Sequence, residues 1–155
     1  MPAINAEGLK SAVQIFVAEE DDALRVDIAA ALRGEGHEVV ECADGPKLFH
    51  ELEHRLARPG ARSSVVIAQA RLPGIEALRI LHSLRGLDVQ IPMVLMARLR
   101  ESTLQDVAEK AGVAAVLTKP IELAEVCRIV TALVEQTRTP APPPRRTDSL
   151  VACPR

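Results

Sequence analysis

A doubly wound (βα)5 sandwich, an α/β fold with a central five-stranded parallel sheet, is the fold class this 155-residue sequence predicts. Three observations predict it. Five short aliphatic runs alternate with helix-length amphipathic stretches. The runs are apolar at nearly every position, the pattern of strands buried on both faces by helices. Glycines recur where the amphipathic stretches run out, at Gly34, Gly36, Gly60, Gly86 and Gly112, which suits left-handed caps and turns.

In chain order the runs are 14–18, 38–42, 65–68, 93–96 and 113–117. Between the first two, residues 23–33 place Leu24, Ile28, Ala31 and Leu32 on one helical face. The last stretch, 123–134, does the same with Leu123, Val126, Cys127, Val130 and Val134. Residues 1–12 lack a strong pattern and are expected to form an N-terminal arm. Residues 13–136 form the domain. Residues 137–155, where Pro140, Pro142, Pro143 and Pro144 precede Arg145 and Arg146, read as a disordered or polyproline tail.

The composition supports one ordinary core, with 48% hydrophobic residues. Phe16 and Phe49 are the only aromatic residues, so packing falls to Val, Leu, Ile, Ala and Met, and stacking on nucleic-acid bases has no platform. The net charge of -2 divides unevenly: residues 1–136 carry fifteen basic and twenty acidic side chains, and residues 137–155 carry four Arg and one Asp. No basic face marks a nucleic-acid partner. Cys42, Cys127 and Cys153 are odd in number and include no C-x-x-C pair, which argues against a disulfide framework or a zinc site. Without a long apolar run or a signal-type N-terminus, the expectation is a cytoplasmic protein with no membrane association.

In open α/β sheets of this kind, ligands gather outside the carboxyl ends of the strands. Here those ends read Glu19-Glu20-Asp21-Asp22, Gln69, Ala97 and, after the last run, Lys119-Pro120. The segments VAEEDDALR (17–25), QARLPGIEAL (69–78) and AAVLTKP (114–120) resemble the receiver domain of bacterial two-component response regulators, a flavodoxin- or CheY-like fold, over about residues 13–136. In that family an acidic pair after the first strand holds Mg2+, and an aspartate ending the third strand accepts a phosphoryl group from a histidine kinase. A Thr or Ser ends the fourth strand, and a Lys precedes a Pro after the fifth.

The resemblance puts Gln69 at the phosphoacceptor position, where a neutral amide neither attacks phosphorus nor ligates a metal as a carboxylate does. Glu19, Glu20 and Asp21 form a degenerate acidic pocket beside Lys119 and Pro120. Ala97, or Met96 if the strand is shifted by one, takes the place of the hydroxyl, and Val116 that of the aromatic that changes rotamer on activation. Neither Ala97 nor Met96 has a side chain that can hydrogen-bond a phosphoryl oxygen. The implied cofactor is none, with Mg2+ binding at Glu19 and Glu20 weak or absent, because Mg2+ demands near-ideal octahedral geometry. The amide of Gln69 is expected to bridge Lys119 and the Glu19 and Glu20 carboxylates.

The function read from this is a pseudo-receiver: not an enzyme, but a phosphorylation-independent protein-interaction module. Its partner would be a histidine kinase, a phosphotransfer protein or another regulator. The resemblance offers two surfaces, residues 101–136 for a homodimer and the first helix around Arg25 and Ile28 for a kinase. The alternative is a receiver phosphorylated at Glu20 or Asp21.

A separate motif, His50-Glu51-Leu52-Glu53-His54, fits the H-E-x-x-H pattern of zinc hydrolases. It needs a third ligand that no recognisable spacing supplies, and Leu48, Leu52 and Leu56 mark the core face of that stretch. The expectation is a solvated face with at most a weak Zn2+ or Ni2+ site at His50 and His54. An aspartate-nucleophile phosphatase needs a D-x-D spacing that Glu19-Glu20-Asp21-Asp22 lacks.

Overall fold

The computed structural model describes residues 13–57, 64–87, 89–98 and 102–138. The chain order is β1 (Gln14–Ala18), α1 (Asp22–Gly34), β2 (Glu38–Cys42), α2 (Gly45–Leu56), β3 (Ser64–Gln69), α3 (Ala77–Gly86), β4 (Met93–Ala97), α4 (Ser102–Ala111), β5 (Ala115–Thr118) and α5 (Leu123–Arg138). The strands form one parallel sheet in the order β2-β1-β3-β4-β5. The chain leaves β1 outward to β2 and returns across it to β3. The crevice of the fold therefore opens where the ends of β1 and β3 diverge from their connections.

Successive residues of a strand point to opposite faces, and two cores result. Phe16, Ala18, Cys42, Val66, Ala68, Met93 and Leu95 pack under Leu48 and Leu52 of α2 and Ile80, Leu81 and Leu84 of α3. On the other face Ile15, Val17, Val65, Ile67, Val94 and Met96 meet Ile28 and Leu32 of α1 and Val126, Val130 and Leu133 of α5. Helix starts follow local chemistry. The Asp21 carboxylate accepts from the backbone N–H groups of Ala23 and Leu24 at 3.0 and 3.2 Å. Asp44 caps α2 through Lys47 N at 2.7 Å, with Pro46 in the first turn.

Several boundaries differ from the expectation. β3 gains a residue at each end, and β4 runs on to Ala97. β5 begins at Ala115 rather than 113, because Gly112 turns with φ +88° and Val113 N donates back to Ala108 O at 3.1 Å. Gly36, with φ +94°, closes α1 in the same way, whereas Gly34 and Gly86 are simply the last helical residues. In α2 the core stripe ends differently: Leu56 is 40% exposed, and Arg55 is buried with its Nε donating to Ser64 Oγ at 2.9 Å. α5 extends through Arg138, two residues into the segment expected to be tail. The arm at 1–12, Gly60, and the tail from 139 onward lie outside the described residues.

Burial pushes the Cys42 thiol up to about 12, with nearby Glu51 adding to the shift, and raises the half-buried Cys127 thiol. Both are free. His37 accepts a hydrogen bond from Val13 N at its Nδ1, 3.3 Å away. Burial lowers the pKa of this imidazole below its ordinary 6.5, against a smaller opposing pull from Glu35. Below 6.5 the folded state therefore binds fewer protons at this site than the unfolded chain, and stability falls as pH drops through that window. His37→Gln should flatten the stability curve below about pH 6.5 in urea titrations. An unchanged slope would place the proton uptake elsewhere.

Candidate functional site

The acidic run after β1 divides into four roles within four residues. Glu19 is fully buried, its backbone N–H donating to Cys42 O at 3.0 Å. Its Oε2 accepts from Asp21 N at 3.0 Å, and its Oε1 meets the Lys119 ammonium at 3.0 Å. Glu20 is exposed at the rim. Asp21 is the cap of α1. Asp22 pairs with Arg25 at 2.7 Å. Arg25 also donates to Glu19 O at 2.8 Å and contacts Glu41 at 3.3 Å, and Glu41 in turn holds Arg33 at 3.1 Å. This lattice of side chains fixes the turn that delivers Glu19 inward.

Gln69 ends β3 beside it. Its Oε1 accepts from Lys119 Nζ at 2.9 Å, and its Nε2 donates to Arg71 O at 2.8 Å. The expected bridge is thus corrected: Lys119 stands in the middle, joining Glu19 to Gln69, and the amide N–H of Gln69 goes to its own loop rather than to a carboxylate. Glu20 takes no part in that chain of contacts. Lys119 is positioned by its backbone N–H, which donates to Ala97 O at 2.7 Å, and its bond to Pro120 is cis.

The strand ends enclose a pocket of about 290 Å³ lined by Glu20, Gln69, Ala70, Arg71, Met96, Ala97, Arg98 and Lys119. Both Met96 and Ala97 reach it, so either register leaves an apolar side chain where a hydroxyl was sought. Val116 is half-buried against the α2 and α3 core. Arg71 and Arg98 were not anticipated. Their signal was positional: each follows a strand end by one or two residues and so lies at the crevice.

One further expectation changes. Ile28 is fully buried in the core under α1, so it cannot form part of a kinase-facing surface. The large apolar residue that this helix exposes is Val26, at 50%. Among the described residues, no group of three or more His, Cys, Asp or Glu is placed to hold a metal ion. The H-E-x-x-H stretch therefore lacks a third described ligand, and its Glu51 is paired with Lys47 at 2.9 Å. Among the same residues, no helix is long and apolar enough to cross a membrane.

The fold recurs in known proteins. The model of the response regulator receiver domain matches residues 15–131. The transcriptional regulatory protein TcrA of Mycobacterium tuberculosis is 30% identical over 137 residues, covering 88% of this chain and 51% of its own length. The transcriptional activator protein PfeR of Pseudomonas aeruginosa is 30% identical over 126 residues, covering 81% of this chain and 39% of its own. The chain thus spans about half or less of the length of these two relatives. A Francisella receiver domain, that of response regulator 1452, superposes with a TM-score of 0.71 at 19% identity, covering 81% of this chain and 98% of that one, a likeness of fold. With five parallel strands in the order 2-1-3-4-5 and a family match across nearly the whole sheet, this chain belongs to the response regulator receiver domain family of two-component signalling.

Proposed function

We propose that this receiver domain is a pseudo-receiver, which acts by binding protein partners and is not phosphorylated at the end of β3. The observation that carries this reading is the neutral amide of Gln69, whose Oε1 accepts the Lys119 hydrogen bond at 2.9 Å. A carboxamide oxygen carries no charge with which to attack phosphorus, and it is a weaker ligand for Mg2+ than a carboxylate. The donor set fits Mg2+ poorly for the same reason. Both oxygens of Glu19 are engaged, one by Lys119 and one by Asp21 N, and Asp21 is occupied in capping α1. Glu20 is left as an exposed carboxylate at the rim, with one methylene more than an aspartate.

On this reading the domain has no catalytic activity and no cofactor, and its location is cytoplasmic. Its partner is a protein, either a histidine kinase, a phosphotransfer protein or another regulator. The acidic balance of residues 1–136 supports a protein surface over nucleic acid for this domain. Residues 101–136, of which 101 lies outside the described residues, are the surface for self-association. Val107 on α4 and Leu123 on α5 are exposed there, at 53% and 36%, and support it. Within the first helix the kinase-facing surface moves from Ile28 to the exposed Val26.

Intact mass after incubation with Mg2+ and acetyl phosphate tests the reading. The native chain is expected to gain no phosphoryl mass, and Gln69→Asp to gain one. A phosphorylated native chain would sink the proposal, and mapping the adduct among Glu19, Glu20 and Asp21 would then identify a relocated acceptor.

A further inference from the structure

The histidine pair of α2 has no part in the receiver chemistry. Leu48, Leu52 and Arg55 are buried and set the inward direction of the helix, whereas His50 and His54 are exposed on its outer side. Residues four apart on a helix stand one above the other, with about 5–6 Å between Cβ atoms, close enough for two imidazoles to reach one ion. The helix holding them is well anchored. Asp44 caps it, its inner face is in the core, and the Lys47–Glu51 pair spans a turn of its flank at 2.9 Å.

We propose that His50 and His54 form a bidentate chelate for a divalent transition-metal ion of the Cu2+, Ni2+ or Zn2+ class on the outer face of α2. Imidazole suits these ions. Only two protein donors are offered, since no third described residue completes the set. The site is therefore an open chelate whose other positions go to water or an external ligand, unlike a closed structural zinc site or a three-ligand catalytic one. Binding exchanges metal-bound water for the two ring nitrogens, with no bond broken in the protein.

The tag-free 155-residue chain should be titrated with Ni2+ and Cu2+ by calorimetry and by paramagnetic broadening of its amide spectrum. One equivalent is expected to bind, with broadening centred on residues 50–54 and Cu2+ held more tightly than Ni2+. Loss of even an outer-shell partner weakens metal sites roughly 10–100-fold, so His50→Ala and His54→Ala should each weaken binding at least about tenfold. Both side chains are exposed, so melting of the metal-free variants should match the native chain. His82→Ala, an exposed lone histidine of α3, should leave the affinity unchanged. The proposal fails if the native chain shows no saturable binding, or if binding survives either substitution.

Discussion

Replacing Lys119 by Met is expected to destabilise the domain by about 3 kcal/mol, because it strands the Glu19 carboxylate in the interior. Glu19 is 1% exposed and has two partners for its oxygens, the Lys119 ammonium and the Asp21 N–H. Truncating one member of a buried pair costs roughly 3–5 kcal/mol. The lower end applies here, since Lys119 is 24% exposed and water reaches that side of the pair. Glu19→Gln in the Lys119→Met background should recover most of the loss. The amide keeps an oxygen for Asp21 N and brings no charge. Urea denaturation of the four proteins in the cycle gives the coupling directly. A single-variant cost under about 1 kcal/mol would reduce the contact to an ordinary surface ion pair. A large coupling would mean that Lys119 has a structural task independent of any phosphoryl group, so its presence beside Gln69 needs no phosphotransfer to explain it.

The three interior strands were legible because burial on both faces leaves a simple trace. Each of the five apolar runs overlaps an observed strand, and the faces of α1 and α5 fall largely as their 3.6-residue periodicity requires. Errors arose where one residue type serves two purposes. Arg55 looks like a surface residue and Leu56 like a core one, yet the Ser64 hydroxyl gives the guanidinium a buried partner. Val113 extends an apolar run, but the backbone reversal at Gly112 uses it to leave α4. At the site, the residue types at the strand ends were readable, whereas their connections were not. An acidic run of four gives no sign that one carboxylate is buried, one lies at the rim, one caps a helix and one pairs with Arg25. That division depends on the direction of the chain as it turns from β1 into α1. The bridge through Gln69 was likewise misassigned, because an amide has both a donor and an acceptor and only the fold decides which faces Lys119.

Truncating Phe16 to Ala should cost about 3–5 kcal/mol, the range for removing a large aromatic from a core that cannot close around the void. Phe16 is 1% exposed on β1, an interior strand, in register with Val40 of β2 and Val66 of β3. Its neighbours in the same core include Ala18, Ala68 and Cys42, all small, with Leu48 and Leu52 of α2 packed in the same cluster. Small residues around one ring cannot expand to fill its space, and hydrogen-bonded strands on both sides prevent β1 from shifting inward. Phe49, the other aromatic in the chain, only borders this cluster and is half-buried, so Phe49→Ala should cost under about 2 kcal/mol. Phe16→Leu retains most of the buried area and should cost on the order of 1 kcal/mol. Urea midpoints for the three variants decide the matter. If Phe16→Ala costs no more than Phe49→Ala, the core under α2 is loose enough to collapse. The ring would then be one of many interchangeable apolar groups, and the aliphatic packing around it would carry the stability of the sheet alone.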